Sequence, residues 1–239
     1  MYKYDLHIHT VETSSCSHMH ARDIVEHYHA AGYQGIAITD HFYDGFFQSL
    51  PEFGRDWTAC ADHFLRGYRL ARERGAELGM DVLLGIEMRF TENWRDILIF
   101  GLDDAFLYRN PYCYEMGLER FFGAFKDEVL LIAAHPYRKD MATGHQHEVL
   151  PQFLHGVEVF NCNVRQVNCD HQALKLCRAH PELIRVIGSD AHQPVDLCAS
   201  YVGFPERIAD SAALRRALIG RDYVIGYPAD PALAEEFMR

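Results

Sequence analysis

The sequence predicts an α/β fold built from repeated parallel βαβ units and closed as a (β/α) barrel. Three observations predict it. Short apolar runs alternate with longer helical patterns along the whole chain. Some seven such units fit into 239 residues, close to the roughly 250 that such a barrel typically needs. Histidines and carboxylates also recur at one place, the C-terminal ends of the expected strands. An open doubly wound sheet is the alternative arrangement of the same units.

The elements follow in order. Tyr4–His9 reads as a strand and Ala21–Ala31 as a helix stopped by Gly32. Gly35–Thr39 is a second strand, and Phe42–Arg55 an aromatic, glycine-containing loop. Trp57–Leu78 reads as one long helix, Val82–Met88 as a third strand and Ile97–Gly101 as a fourth. Leu118–Phe125 is helical, and Val129–Ala134 is a buried strand that opens into a loop reaching Val149. Strand Val157–Phe160, helix Gln172–His180 and strand Ile184–Gly188 come next. Helix Ala212–Ile219 and a short strand Tyr223–Ile225 close the chain.

Composition narrows the class. Hydrophobic residues make up 49% of the chain, enough for one large domain over residues 1–239. No apolar run reaches 18 residues, and the N-terminus lacks the pattern of a secretory signal. Seven cysteines, with no CxxC pair, argue for a reducing, cytoplasmic setting rather than a disulfide framework. The net charge of −11 argues against a long nucleic-acid partner, which needs many Lys and Arg contacts. A small phosphorylated substrate remains compatible, because bound dications dominate the local field.

The chemistry lies in the strand ends. His7 and His9 close the first strand, and Asp40 and His41 the second. Glu87 ends the third, His135 follows VLLIAA, Asn161 follows VEVF, and Asp190 and His192 follow VIGS. In a parallel barrel all these ends open onto one face. Singly, each has a plainer reading as a cap, a turn or an ion-pair partner. Together, buried without a compensating ion, they would be costly. Imidazole mixed with carboxylate suits Zn, Mn or Fe, and the cluster has too many donors for one ion. A carboxylate such as Glu87 can bridge two ions that grip a phosphoryl group and activate a water.

The motifs DLHIHT, ITDH, GIEM, AAHPYR and GSDAH, in this order between residues 4 and 205, resemble the PHP (polymerase and histidinol phosphatase) superfamily. Residues 206–239 would add a C-terminal helix and tail. The resemblance implies a distorted (β/α)7 barrel and a metal-dependent phosphoesterase with two or three divalent cations. It implies that His7, His9, Glu87 and Asp190 hold a first ion, Glu87 and His135 a second, and His41 and His192 a third. Asp40 and Arg138 are the candidate catalytic residues. Asp40 would orient a ligand imidazole, and Arg138 would clamp a phosphate oxygen.

Two departures stand out. The family usually places Asp or His shortly after the first motif; here the segment is TSSCSH, with Cys16 as candidate metal ligand and His18 and His20 as substitutes. The family also often has a His between the glutamate and the next motif; here the segment RDILIFG offers only Asp96. Arg165 is a further candidate anion contact. Phe42, Tyr43, Phe46 and Phe47 either wall a pocket or anchor their loop. His27, His29, His145 and His147 are read as solvated. Two other functions stay open, an amidohydrolase-type C–N hydrolase and a non-catalytic metal-binding module.

Overall fold

A computed structural model describes residues 1–93, 95–139, 144–163, 168 and 170–226. The eleven strands among them form two hydrogen-bonded sheets. The first runs β11-β10-β1-β2-β4, from Val224–Gly226, Tyr201–Phe204, Tyr2–Ile8, Gly35–Ile38 and Asp81–Leu84. The second runs β3-β5-β6-β7-β8-β9, from His41–Phe42, Ile86–Arg89, Asp96–Phe100, Leu130–Ala133, Gly156–Asn161 and Ile184–Gly188.

The two sheets are parts of one ring. β2 continues into β3 across Thr39 and Asp40, and β4 into β5 across Gly85. Between these halves the ladder is unbroken: Gly85 N donates to Ile38 O at 2.9 Å, and Glu87 N to Asp40 O at 3.1 Å. On the far side β9 returns to β1, where Ile8 bridges Ala191 in parallel and His9 N donates to Ala191 O at 3.1 Å. The ring therefore has seven staves, and it is distorted because β6 runs antiparallel to both β5 and β7. The expectation of parallel units throughout fails there for a simple reason. Only residues 90–95 join β5 to β6, too short a link for the crossover of a dozen or more residues that parallel pairing needs. Asp96, at the start of β6, consequently lies at the same end of the ring as Glu87.

Strand alternation explains what faces inward. In β1 the apolar Tyr4, Leu6 and Ile8 alternate with Asp5 and His7, and all five are fully buried. The apolar set joins the hydrophobic core, which leaves the polar set for the interior of the ring. Helices pack outside: α1 (Ala21–Ala30) against α4 (Arg66–Leu78) and β2, and α4 also against β4. The long helix expected over Trp57–Leu78 is instead two, α3 (Trp57–Phe64) and α4. Thr13 causes the break. Its hydroxyl donates to Phe64 O at 3.0 Å and accepts from Gly67 N at 3.4 Å, which inserts a side chain into the helical ladder.

Other expectations also needed correction. The loop expected over Phe42–Arg55 starts on the last residue of β3 and contains the short α2 (Asp44–Gln48). Sequence reading missed α5 (Asp104–Arg109) and β10. Helices α6 (Leu118–Phe125), α7 (Asp170–Ala179) and α8 (Ser211–Gly220) lie within a residue or two of where they were expected. No helix among the described residues is long and apolar enough to cross a membrane.

Gly156 shows how close the staves run. A Cβ there would stand 2.5 Å from Ile184 O and 2.8 Å from Ile184 Cβ. Gly156→Ala is therefore expected to lower stability by about 1–3 kcal/mol in urea denaturation; an unchanged midpoint would contradict this register.

Candidate metal centre

Seven of the predicted site residues converge at one end of the ring. Among the described residues, four donor sets have ligand atoms lying within 4.8 Å of one another: His7, His9 and Glu87; His7, His135 and Asp190; His9, His41 and His192; and Glu87, Asp96 and His135. Glu87 is at their middle. Its Oε1 lies 3.3 Å from His7 Nε2 and 2.9 Å from His135 Nε2. Its Oε2 lies 3.5 Å from His9 Nε2 and 2.7 Å from His41 Nδ1. Asp190 Oδ1 completes the floor, 3.6 Å from His7 Nε2 and 3.3 Å from His9 Nε2.

These spacings distinguish hydrogen bonds from shared ligation. Atoms that share one tetrahedral cation at about 2.1 Å stand roughly 3.4 Å apart. The four contacts of His7 and His9 with Glu87 and Asp190 fall at 3.3–3.6 Å, longer than a good N–H···O bond. His7 Nε2 and both ring nitrogens of His9 are buried with no hydrogen-bond partner, and Glu87 Oε2 has the His41 ion-pair contact at 2.7 Å. Orphaned polar atoms of this kind are costly. A divalent cation among His7, His9, Glu87 and Asp190 would satisfy His7 Nε2 and His9 Nε2, so the residues present fit the group that the motifs imply.

The surrounding residues aim these donors. His7 Nδ1 lies 2.8 Å from Glu158 Oε1, which fixes the tautomer that leaves Nε2 facing Glu87 and Asp190. Glu158 Oε2 accepts from His135 N at 2.7 Å and from Asn161 Nδ2 at 3.1 Å. His192 Nδ1 lies 2.8 Å from Asp190 O, so its other nitrogen is the one available to a ligand. His135 and Asp190 both sit at positive φ, 30° and 53°, a strained backbone that typically costs about 1–3 kcal/mol and gathers at functional sites.

Sequence reasoning missed Glu158. The signal was present: an acidic residue inside the otherwise apolar run GVEVF must face a polar partner when the strand is buried on both sides. Asn161 links Glu158 to Arg138, whose Nη2 donates to Asn161 Oδ1 and Asp190 Oδ2, each at 2.7 Å, while Nε donates to Asn168 Oδ1 at 2.8 Å. Arg138 thus braces the second oxygen of Asp190 and leaves Oδ1 to the cluster.

Asp40 does not do what was expected of it. Its carboxylate accepts from Thr10 N, Thr10 Oγ1 and Ser14 Oγ, each at 2.7 Å, and it has no hydrogen bond to a ligand imidazole. It pins the 10–14 turn, and Ser14 Oγ in turn accepts from His41 N at 3.0 Å. That turn leads to Cys16, which is exposed and lines the same cavity as His41 and His192. His18 and His20 do not join the cluster. His18 is exposed, and His20 is exposed and pairs with Glu12 at 3.0 Å. Asp96 is held by Arg89 through two bonds of 2.7 and 2.9 Å, with Oδ2 3.9 Å from His135 Nε2.

The remaining candidates divide. Phe42 and Phe47 are fully buried among Trp57, Phe64 and Tyr114, so they anchor the loop rather than wall the pocket. His27 and His29 are exposed on α1. His147, read as solvated, lines the cavity instead. Arg165 lies outside the described residues.

Electrostatics follow from this packing. Burial alone would raise the carboxyl of Glu87, yet the neighbouring His41 and His7 hold it well below the ordinary range. Burial opposes charge on His7, but Glu158, Asp190 and Glu87 keep its pKa well above 6.5. His41 is raised likewise, against burial, chiefly by Glu87. His9 is lowered by burial and by the charges of His41 and His192. Burial raises the Cys16 thiol, but hydrogen bonds to His192 and His41 outweigh it and bring the pKa down to about 6.

The sequence pattern of the PHP domain matches residues 5–224. This chain belongs to the PHP domain family. Solved structures share the fold at low identity. A two-domain protein from Bacteroides vulgatus ATCC 8482, containing a predicted PHP-like metal-dependent phosphoesterase, aligns with TM-score 0.68 and 18% identity over 95% of this chain. The chain spans 64% of that longer protein. A candidate metal-dependent phosphoesterase from Bifidobacterium adolescentis ATCC 15703 gives TM-score 0.52 and 17% identity, covering 90% of this chain and 95% of its own. An amidohydrolase from Chromobacterium violaceum, with bound sulfate and no metal, gives 0.52 and 18%, covering 95% and 98%. No curated protein matches the chain.

Two predictions follow from the titrations. Protonated His7 and His41 stabilise the cation-free fold fully below their ordinary pKa of 6.5, and this contribution is lost as pH rises through their raised values. A cation needs neutral imidazoles and must displace those protons. The rise in melting temperature on adding Zn²⁺ or Mn²⁺ should therefore be larger near pH 8 than near pH 6, with proton release measurable by calorimetry; a larger rise at the lower pH would contradict it. Among the six cysteines of the described residues Cys16 has the lowered thiol pKa, whereas burial raises Cys60, Cys113, Cys162, Cys177 and Cys198. One equivalent of iodoacetamide at neutral pH should alkylate Cys16 before the other five described cysteines in cation-free protein, and bound cation should slow it at least about tenfold. Equal rates with and without cation would remove Cys16 from the ligand set.

Proposed function

We propose that this PHP-domain protein hydrolyses phosphate esters of a small organic molecule at a centre of two or three divalent cations, Zn, Mn or Fe. His7, His9, Glu87 and Asp190 would hold the first ion. Glu87 and His135, with Asp96 beside them, would hold the second, and His41, His192 and Cys16 the third. The observation that carries this reading is the division of Glu87. One carboxylate oxygen faces His7 and His135, and the other faces His9 and His41, the arrangement of a bridging carboxylate. Divalent cations there supply Lewis acidity toward phosphoryl oxygens and a water of lowered pKa.

The chain's own residues do the rest. Glu158 keeps the His7 ring turned so that Nε2 faces the cluster, and it holds the strained His135 backbone. Arg138 braces Asp190, and on the cavity wall it presents positive charge where a phosphate would arrive. Asp40, through Thr10 and Ser14, sets the turn that carries Cys16 to the rim. The third set is the most open: the His41 and His192 side chains are 22% and 12% exposed, against 0% for His7, His9 and Glu87. Access from the cavity argues for turnover rather than for a closed metal-holding module.

A C–N hydrolase is the second reading, since a structural neighbour is named an amidohydrolase. The test is a screen of cation-reconstituted protein on p-nitrophenyl phosphate, bis-p-nitrophenyl phosphate and a panel of amides. Phosphate-ester turnover is expected, abolished by chelation and lowered at least about a hundredfold by Glu87→Gln. Amide turnover without phosphate-ester turnover would overturn the proposal in favour of the second reading.

A further inference from the structure

Asp5 is a fully buried carboxyl group with no part in the donor sets described above. It lies on β1, inside the ring, two residues before His7. Its Oδ2 accepts from Tyr28 Oη at 2.7 Å. Its Oδ1 accepts from His7 N at 3.2 Å and from Ser189 N at 3.3 Å. Ser189 Oγ donates to His7 O at 3.1 Å and stands 3.3 Å from Tyr28 Oη. Tyr28 and Ser189 are as fully buried as Asp5. A carboxyl group taken out of water is costly unless hydrogen bonds meet it. The donors that meet this one are a hydroxyl and two backbone N–H groups.

These residues stand at the seam where the ring closes. β1 brings His7 and His9 to the first donor set, and the segment after β9 brings Asp190. Backbone pairing across the seam is brief. It consists of the Ile8–Ala191 bridge, with His9 N donating to Ala191 O at 3.1 Å and Ala191 N to His7 O at 3.3 Å. Ser189 immediately precedes Asp190, whose backbone is held at φ 53°. Asp5 and Ser189 therefore fix His7 relative to Asp190 at two points, His7 N and His7 O. Tyr28 reaches the seam from α1, outside the ring, and its hydroxyl holds the Asp5 carboxyl in the orientation that spans it. The Tyr28 ring is braced edge-on against Tyr33 at 4.9 Å, and Tyr33 Oη donates to Ser200 O at 2.8 Å.

We propose that Asp5, Ser189 and Tyr28 are positioning residues for the first cation site. They set the spacing of His7 and His9 against Asp190 at which one ion is gripped, and none of the three touches it. The inference rests on the reading that His7, His9, Glu87 and Asp190 hold a cation. The requirement is geometric, so Asp5→Asn should serve in place of the carboxylate. Its Oδ1 can still accept from His7 N and Ser189 N, and its Nδ2 can donate to Tyr28 Oη.

The test is a titration of Zn²⁺ into the cation-free chain against a competing chelator, with the visible spectrum of Co²⁺-loaded protein as a report on ligand geometry. Tyr28→Phe keeps the buried ring and removes one hydroxyl. It is expected to weaken the tightest-bound equivalent at least about tenfold, as loss of a ligand-orienting residue typically does, and to shift the Co²⁺ bands. Tyr4→Phe is the control. It removes a buried hydroxyl from the opposite face of β1, where Tyr4 Oη donates to Asp81 Oδ2 at 2.7 Å. Tyr4→Phe and Asp5→Asn should each change the affinity less than about threefold. Ser189→Ala serves in place of Tyr28→Phe if that variant does not fold. Unchanged affinity in Tyr28→Phe, or an equal loss in Tyr4→Phe or Asp5→Asn, would overturn the inference and leave the metal-centre reading standing. Failure of the parent protein to bind Zn²⁺ would overturn both.

Discussion

The structure depends on one constraint, the burial of His7, His9, Glu87 and Asp190 against one another at the end of a seven-stave ring. Taking ionised groups out of water costs several kcal/mol each even after relaxation. The protein offsets part of this with internal charge pairing, which holds Glu87 and Asp190 ionised and His7 protonated in the absence of a cation. It does not offset the rest. Three buried ring nitrogens of His7 and His9 lack hydrogen-bond partners, and two of the backbone positions that deliver donors are strained. A fold that retains these costs is organised around an ion.

A second layer converts that cost into geometry. Glu158 reaches both His7 and the His135 backbone. Asn161 joins Glu158 to Arg138, and Arg138 joins Asp190. Glycine gives the layer room: a Cβ at Gly188 would stand 2.2 Å from Glu158 Oε1 and 2.5 Å from His7 Cβ. On the opposite side, Asp40 ties down the turn that leads to Cys16. Substitution of any one member would shift donors that it never touches, because the hydrogen bonds run in series.

The centre was legible in the sequence to the extent that it lies at strand ends. His7, His9, His41, Glu87, His135, Asp190 and His192 were found because short apolar runs mark strands and parallel ends share a face. The direction of β6 is encoded in the short link after Arg89, which the alternation of strands and helices does not reveal. Glu158 was missed for a different reason. It sits mid-strand, away from the strand ends at which the other site residues gather. The role of Asp40 could not be read at all, because its partners Thr10 and Ser14 are 30 and 26 residues away and carry no pattern. The break between α3 and α4 was hidden in the same way, in the hydroxyl of Thr13 from a distant loop.

The family assignment and the donor geometry come from separate observations, one from the run of motifs and the other from interatomic spacing and burial. They agree on the same residues. The most direct measurement of the central claim is anomalous scattering from crystals of the protein grown with Zn²⁺ or Mn²⁺. The account predicts at least two peaks on opposite oxygens of Glu87, one of them about 2.0–2.2 Å from His7 Nε2, His9 Nε2 and an Asp190 oxygen. Density without an anomalous peak between those side chains, or ions found only at the protein surface, would contradict it.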